Sequence, residues 1–528
     1  MTQPQTNHAR TLLTGVSASL SEALALAVLA PLAAAVWCSF GQESYAHWWG
    51  TSRGWQLLGQ TLQLASLATL IALVLGFVLA IAAAKLPSRW AIAVLCLACL
   101  PMVMPSSTLA TPWLALAGKS GPAAGIMRWI GGSAYSMPAA AAVLAARYFG
   151  IAAVVLLQYQ RRILRMGPVE TVFDLPAAVR LLHLRLVPAA GHLAAAGLVI
   201  MLLCMNDHII PGMMLVSTYG PVIMVQYSAL LDPAGAAALA VPVAAVCGVL
   251  VVCAMLMARR TCTDSGDSAP LGPEVARGAT SFCDAAIVAA ILCVTLGLPV
   301  TALVVRVGSV PIFMQTLWDA RSQALHTLWL SIIAAVVAVA GGSLLARRWI
   351  SRWRQGKPTL VPLVLINLTV PATLLGVGCI QLDELLGRWS LGSTSLPLLA
   401  AYVFRFLPVV VLLLFFVWRG ASALPSLAAR LHGVRGGSYL WNIGWPSHRP
   451  HLVGAALACA LLMATELEMS IQLAAPGQAT LGVRLYSLIH TAPESMVSAL
   501  TLGMLLLAAP AAIAGTILLR NLKPREPA

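Results

Sequence analysis

Charge is what this sequence lacks most. Asp and Glu fill only 17 of 528 positions, 9% of the chain is charged and 60% is hydrophobic, and the mean hydropathy is +0.88. This excludes a soluble fold, which cannot hide so much apolar surface from water. Strict apolar–polar alternation is also missing from the apolar runs, which excludes a closed barrel and leaves membrane helices. A phosphate-binding loop is missing. Gly118-Lys119-Ser120 imitates the end of one, but Trp113 stands where its first glycine belongs and no strand precedes it. No nucleotide is therefore expected to bind this chain. No Ser/His/Asp or metal-ligating cluster appears either, so no catalytic residue, metal or resident cofactor is expected. The eleven Cys are scattered, and only Cys96 and Cys99 form a CxxC. That pair sits in an apolar run with no second pair and no nearby His, which points to core packing.

What the sequence has is apolar length. Runs of about 18–25 residues predict twelve spanning helices, near 21–40, 57–84, 91–117, 138–158, 189–214, 234–258, 283–305, 325–346, 359–381, 396–418, 451–475 and 497–519. The fold class expected is an all-α polytopic membrane protein. The first run has no clear small-x-small cleavage site and is read as a retained span. Basic residues settle the orientation. With both ends inside, the inner loops and tails hold 23 of the 32 Lys and Arg, the outer loops seven and the spans two. This positive-inside bias explains the net charge of +15 without nucleic acid.

The chain also repeats itself. Thr61 matches Thr327, Gly76 matches Gly342 and Pro105 matches Pro371, all 266 residues apart. Arg147 and Arg405, like Pro188 and Pro446, are 258 apart, and Asp207 and Glu466 are 259 apart. Two six-span halves of the same topology follow, related by an axis along the membrane normal. The expected division is an N-terminal tail at 1–20, a first half at 21–258, a Ser-, Gly- and Pro-rich cytoplasmic linker at 259–282, a second half at 283–520 and a tail at 521–528.

One polar, Gly-punctuated segment lies between two spans on the cytoplasmic side, at residues 427–446. It reads Ala428-Ala429, Gly433, then nine residues, then Ile443-x-Trp445-Pro446. That spacing resembles the E-A-A-x3-G-x9-I-x-L-P box of the permease subunits of binding-protein-dependent ABC importers, with Leu427 where the family usually has Glu. The repeat points to a degenerate twin at 169–188, which keeps Glu170 and Pro188, lacks the Gly and is interrupted by Pro176. The likeness covers roughly 55–520 and is nearest to the fused permeases of the iron(III) and thiamine type. It includes Asp207-His208-Ile209-Ile210-Pro211, where the family tends to have Asp-Phe-Gly-Val-Pro.

The resemblance implies a type I importer fold in a bacterial inner membrane. It also implies two copies of a cytoplasmic ATPase, which would bind the ATP, and a periplasmic solute-binding protein; no nucleic acid is implied. The coupling residues would be Glu170, Thr171, Asp174 and Pro188 in the first box and Ala428, Ala429, Gly433, Ile443 and Pro446 in the second. The alternative is an ion-driven secondary transporter of two six-helix halves. Asp207, Glu466, Arg147 and Arg405 are the candidate translocation residues. An ionised group at mid-bilayer costs about 2.5 kcal/mol or more, so each is expected to face a cavity or a partner. Pathway lining and structural pairing of the arginines with the acids both remain open, and His208 is expected to be structural.

Overall fold

The computed structural model describes residues 4–40, 44–118, 132–165, 186–187, 189–263, 282–357, 359–385, 394–419 and 444–521, with a few isolated positions between them. The described residues are 86% helical, and no strand occurs among them. In chain order the helices are α1 Pro4–Ser39, α2 Ser44–Trp49, α3 Ser52–Ala84, α4 Ser88–Val103, α5 Ser106–Ala117, α6 Met137–Arg165, α7 Ala190–Asn206, α8 Ile209–Met213, α9 Tyr219–Ser228 and α10 Pro233–Thr263. There follow α11 Phe282–Leu292, which passes through a π turn into α12 Leu298–Val307, then α13 Val310–Asp319, α14 Arg321–Arg354, α15 Ile366–Thr369, α16 Ala372–Leu385 and α17 Leu396–Arg419. The last are α18 Trp445–Ala464, α19 Glu468–Leu473, α20 Leu481–Thr491 and α21 Glu494–Asn521.

Seven described helices are long and apolar enough to cross a membrane, and nine if each of two bent pairs counts as one crossing. The protein is thus membrane-embedded, and among the described residues fewer unbroken spans occur than the twelve expected. Several of the expected spans are interrupted. Proline explains two of the breaks, because the residue before proline is pushed out of the helical region. Met104 precedes Pro105 and is extended at ψ 140°; Val370 precedes Pro371 at ψ 135°. The chain turns by 91° between α4 and α5, and by 114° between the Val361–Leu368 stretch and α16. Expected spans 189–214 and 451–475 break as well, at Asp207 and at Thr465–Leu467. Helix α10 runs to Thr263, past the expected start of the linker, and residues 264–281 lie outside the described residues.

Two compact units make up the chain. One comprises Met1–Phe40, Ser322–Leu481 and Ile517–Leu522; the other holds Gly41–Arg321 and Gly482–Thr516 with the last six residues. In the first unit α1 lies along α16. The buried Asn367 donates from Nδ2 to the Val28 carbonyl of α1 at 2.7 Å, and Gly378 allows the Pro31 carbonyl to sit directly against its backbone. At its middle α1 is held again. The Glu22 carboxylate accepts from Thr359 Oγ1 at 2.9 Å and Leu360 N at 3.0 Å and pairs with Arg348 Nε at 3.3 Å.

In the second unit α3 packs closely on α6. Gly76 permits this: a Cβ there would lie 2.5 Å from Ala152 Cβ and 2.8 Å from the Phe149 carbonyl oxygen. Helix α11 lies against α3, and its buried Asp284 accepts two bonds from Lys85 Nζ, at 2.8 and 2.9 Å. The first span of each sequence half is therefore built into the unit that holds most of the other half's helices.

Candidate functional site

The broken spans are where polar side chains gather. Each break leaves backbone groups without helical partners, and in lipid each such group must find another. In the second unit Asp207 ends α7 and restarts the chain. Its Oδ1 accepts from Ile210 N at 3.2 Å, capping α8. Its Oδ2 accepts from Ser106 Oγ at 2.8 Å, at the start of α5, and from the Tyr148 hydroxyl on α6 at 3.4 Å. Arg147, one residue earlier on α6, brings Nε to 3.7 Å from the same oxygen. Its Nη2 donates to the Met102 carbonyl at 3.5 Å, on the other side of the α4–α5 break. The two side chains are only 11% and 3% exposed. One arginine–carboxylate pair thus ties two helix breaks together.

The first unit has a counterpart at the matched positions. Arg405 on α17 places Nε 3.8 Å from Glu466 Oε2, with side chains 14% and 12% exposed. Arg405 Nη1 donates to the Val370 carbonyl at 3.1 Å, immediately before Pro371. Glu466 Oε1 accepts from Met469 N at 3.5 Å, at the start of α19. Beside it Tyr402 and Ser470 share a hydrogen bond of 2.7 Å, and Ser470 Oγ donates to the Glu466 carbonyl at 2.8 Å. The longer Glu466 thus reaches an arginine and a helix start, as Asp207 does.

Sequence reasoning singled out all four charged residues, and the structure pairs them within each unit. Ser106, Tyr148, Tyr402 and Ser470 went unnoticed, although two aromatic residues beside the matched arginines were a signal. His208 is buried, with its Cβ packed against Gly220. The matched threonines do one job: Thr61 Oγ1 accepts from Tyr219 N at 3.1 Å and Thr327 Oγ1 from Leu481 N at 2.7 Å, the start of α9 and of α20. Of the expected coupling residues only Pro446 is described, exposed in the first turn of α18, where a missing N–H costs nothing. Glu170, Thr171, Asp174, Pro188, Ala428, Ala429, Gly433 and Ile443 lie outside the described residues.

Chemically, each constellation combines a buried ion pair, hydroxyls and a re-entrant backbone within an apolar bundle. Discontinuous helices with charged partners are the usual setting of transport sites in membranes. Compared with known proteins, the chain matches no family and no curated relative.

Proposed function

We propose that this chain is the permease of an ATP-driven importer of the ABC class, with two six-span halves in one polypeptide. A binding protein delivers a small solute to the outer face, of the iron(III) or thiamine type by the sequence resemblance. Two copies of a separate cytoplasmic ATPase engage residues 169–188 and 427–446. The observation that carries a transport role is the recurrence, at matched sequence positions, of an arginine–carboxylate pair across two broken spans. Such breaks give a helix bundle places to bend, as alternating access requires. The spacing of the 427–446 segment selects the ABC class. An ion-driven transporter needs acids able to take up a proton or cation. Asp207 and Glu466 are each committed to an arginine and to a helix start, which favours the ATP-driven reading.

The test is co-purification and reconstitution. The chain should bring down a co-expressed cognate ATPase and transport only with ATP. Gly433→Ala and Glu170→Ala should insert normally yet uncouple hydrolysis from uptake. Transport in ATP-free vesicles with no associated ATPase would sink the proposal.

A further inference from the structure

At one end of α14 and α17 in the first unit, a guanidinium, an indole N–H and an imidazole nitrogen meet with no ion pair or hydrogen bond among the described residues. Arg347 on α14 is exposed, and its guanidinium carbon sits 5.5 Å over the ring of Trp418, in the last turn of α17. Arg347 forms no ion pair among the described residues. Trp418 is 6% exposed, yet its indole Nε1–H has no acceptor. The His448 ring, in the first turn of α18, lies 4.9 Å from that of Trp418, and its Nδ1 is buried without a partner too. Arg347 and the His451 ring, 6.4 Å away, are the charged and titratable neighbours of His448. The guanidinium and the indole N–H both call for an acceptor, and the guanidinium's charge favours an anionic one. The missing group is an acceptor with negative charge.

The surroundings say what carries it. Leu344, Val337, Val336 and Ile333 are all exposed and run from Arg347 along one face of α14 at helical spacing. Leu413 and Val417 are exposed on α17 beside Trp418. A charged head over an uncovered apolar strip, next to an amphipathic indole, fits a phospholipid at the cytoplasmic interface. We propose that Arg347, Trp418 and His448 form a phosphate site that takes the headgroup of an anionic phospholipid, its acyl chain lying along α14. The first half lacks this set: at the offsets of the repeat, Ile81 stands for Arg347 and Ala190 for His448.

The site also grips both ends of residues 420–444, since Trp418 lies just before that segment and His448 just after it. On the permease reading that segment contains the second coupling box, so lipid occupancy steadies the root of the ATPase contact. The binding itself does not depend on that reading.

The experiment uses the full chain, delipidated and titrated with phosphatidylglycerol or phosphatidylcholine and followed by native mass spectrometry, with no ATPase present. Wild type should retain phosphatidylglycerol preferentially. Arg347→Gln should weaken that binding about fivefold or more, and Trp418→Phe, which keeps the ring and removes the N–H, should weaken it as well. Both variants are checked for unchanged melting in detergent, which separates lost binding from lost folding. Equal retention of the two lipids, or variants that bind like wild type, would overturn the proposal. So would competition by millimolar inorganic phosphate that removes all lipid preference, since that marks a site for the free ion.

Discussion

Asp207 holds four partners at once: a cap to Ile210 N, a hydroxyl from Ser106, another from Tyr148 and the guanidinium of Arg147. Such a group is costly to remove singly, because its arginine then stays buried and uncompensated. Asp207→Ala should therefore destabilise by about 3–5 kcal/mol, read as thermal unfolding of the purified chain in detergent. Replacing both partners, as in Arg147→Met with Asp207→Leu, should recover much of that loss, since apolar substitutes of similar volume often match a buried ion pair. On the permease reading proposed above, transport should not return with stability, because the polar joint between the two breaks is gone. A double variant as unstable as Asp207→Ala would mean that capping and hydroxyl contacts, not the ion pair, dominate. Glu466→Ala likewise leaves Arg405 without its carboxylate and should cost a similar amount in the same measurement.

Helices in this protein meet through small residues, and glycine sets the closest approach. Gly76 on α3 faces Ala152 and the Phe149 carbonyl of α6; Gly342 on α14 faces Val410 of α17, where a Cβ would lie 2.7 Å from its Cγ1. Gly76→Leu should cost about 1–3 kcal/mol or more by overpacking, lowering the melting temperature and the folded yield. Gly59→Ala on the same helix meets nothing within 4 Å and should stabilise by about 0.5–1 kcal/mol. Equal effects of the two substitutions would remove close packing as the reason for Gly76. The sequence makes much of this legible. Apolar length announces the helices, and the matches Gly76–Gly342, Thr61–Thr327 and Arg147–Arg405 identify positions that make like contacts in the two units. The breaks were less legible. Hydropathy averages over a window and registers no 91° bend, so Pro105 and Pro371 were visible as matched residues but not as corners. Glu22 and Asp284 went unremarked because each stands at the edge of an apolar run, and their partners Arg348 and Lys85 are hundreds of residues away.

For the whole molecule, the order of the chain and the grouping of its helices disagree in a testable way. Helix α1 belongs to the unit built mainly from residues 322–481, through Asn367, Gly378 and the Glu22 contacts. Helices α11 and α12 belong to the unit built mainly from residues 41–321, through Asp284 and Lys85 and through the packing of α12 on α5. A cut within residues 264–281 would leave each fragment holding a helix that the other needs. After complete cleavage at a protease site placed there, the two fragments should therefore continue to co-elute. Expressed alone, either fragment should be degraded or aggregate, because its exchanged helix leaves exposed the surface it was meant to cover and lacks one it needs. Weakening one hold should show in the split protein before it shows in the intact chain. Glu22→Ala frees Arg348, Thr359 and the Leu360 amide, while the covalent linker still keeps α1 at high local concentration. The cleaved Glu22→Ala protein should then dissociate more readily than the cleaved wild type. Wild-type fragments that part on cleavage would show that the linker, and not the exchanged helices, keeps the halves together.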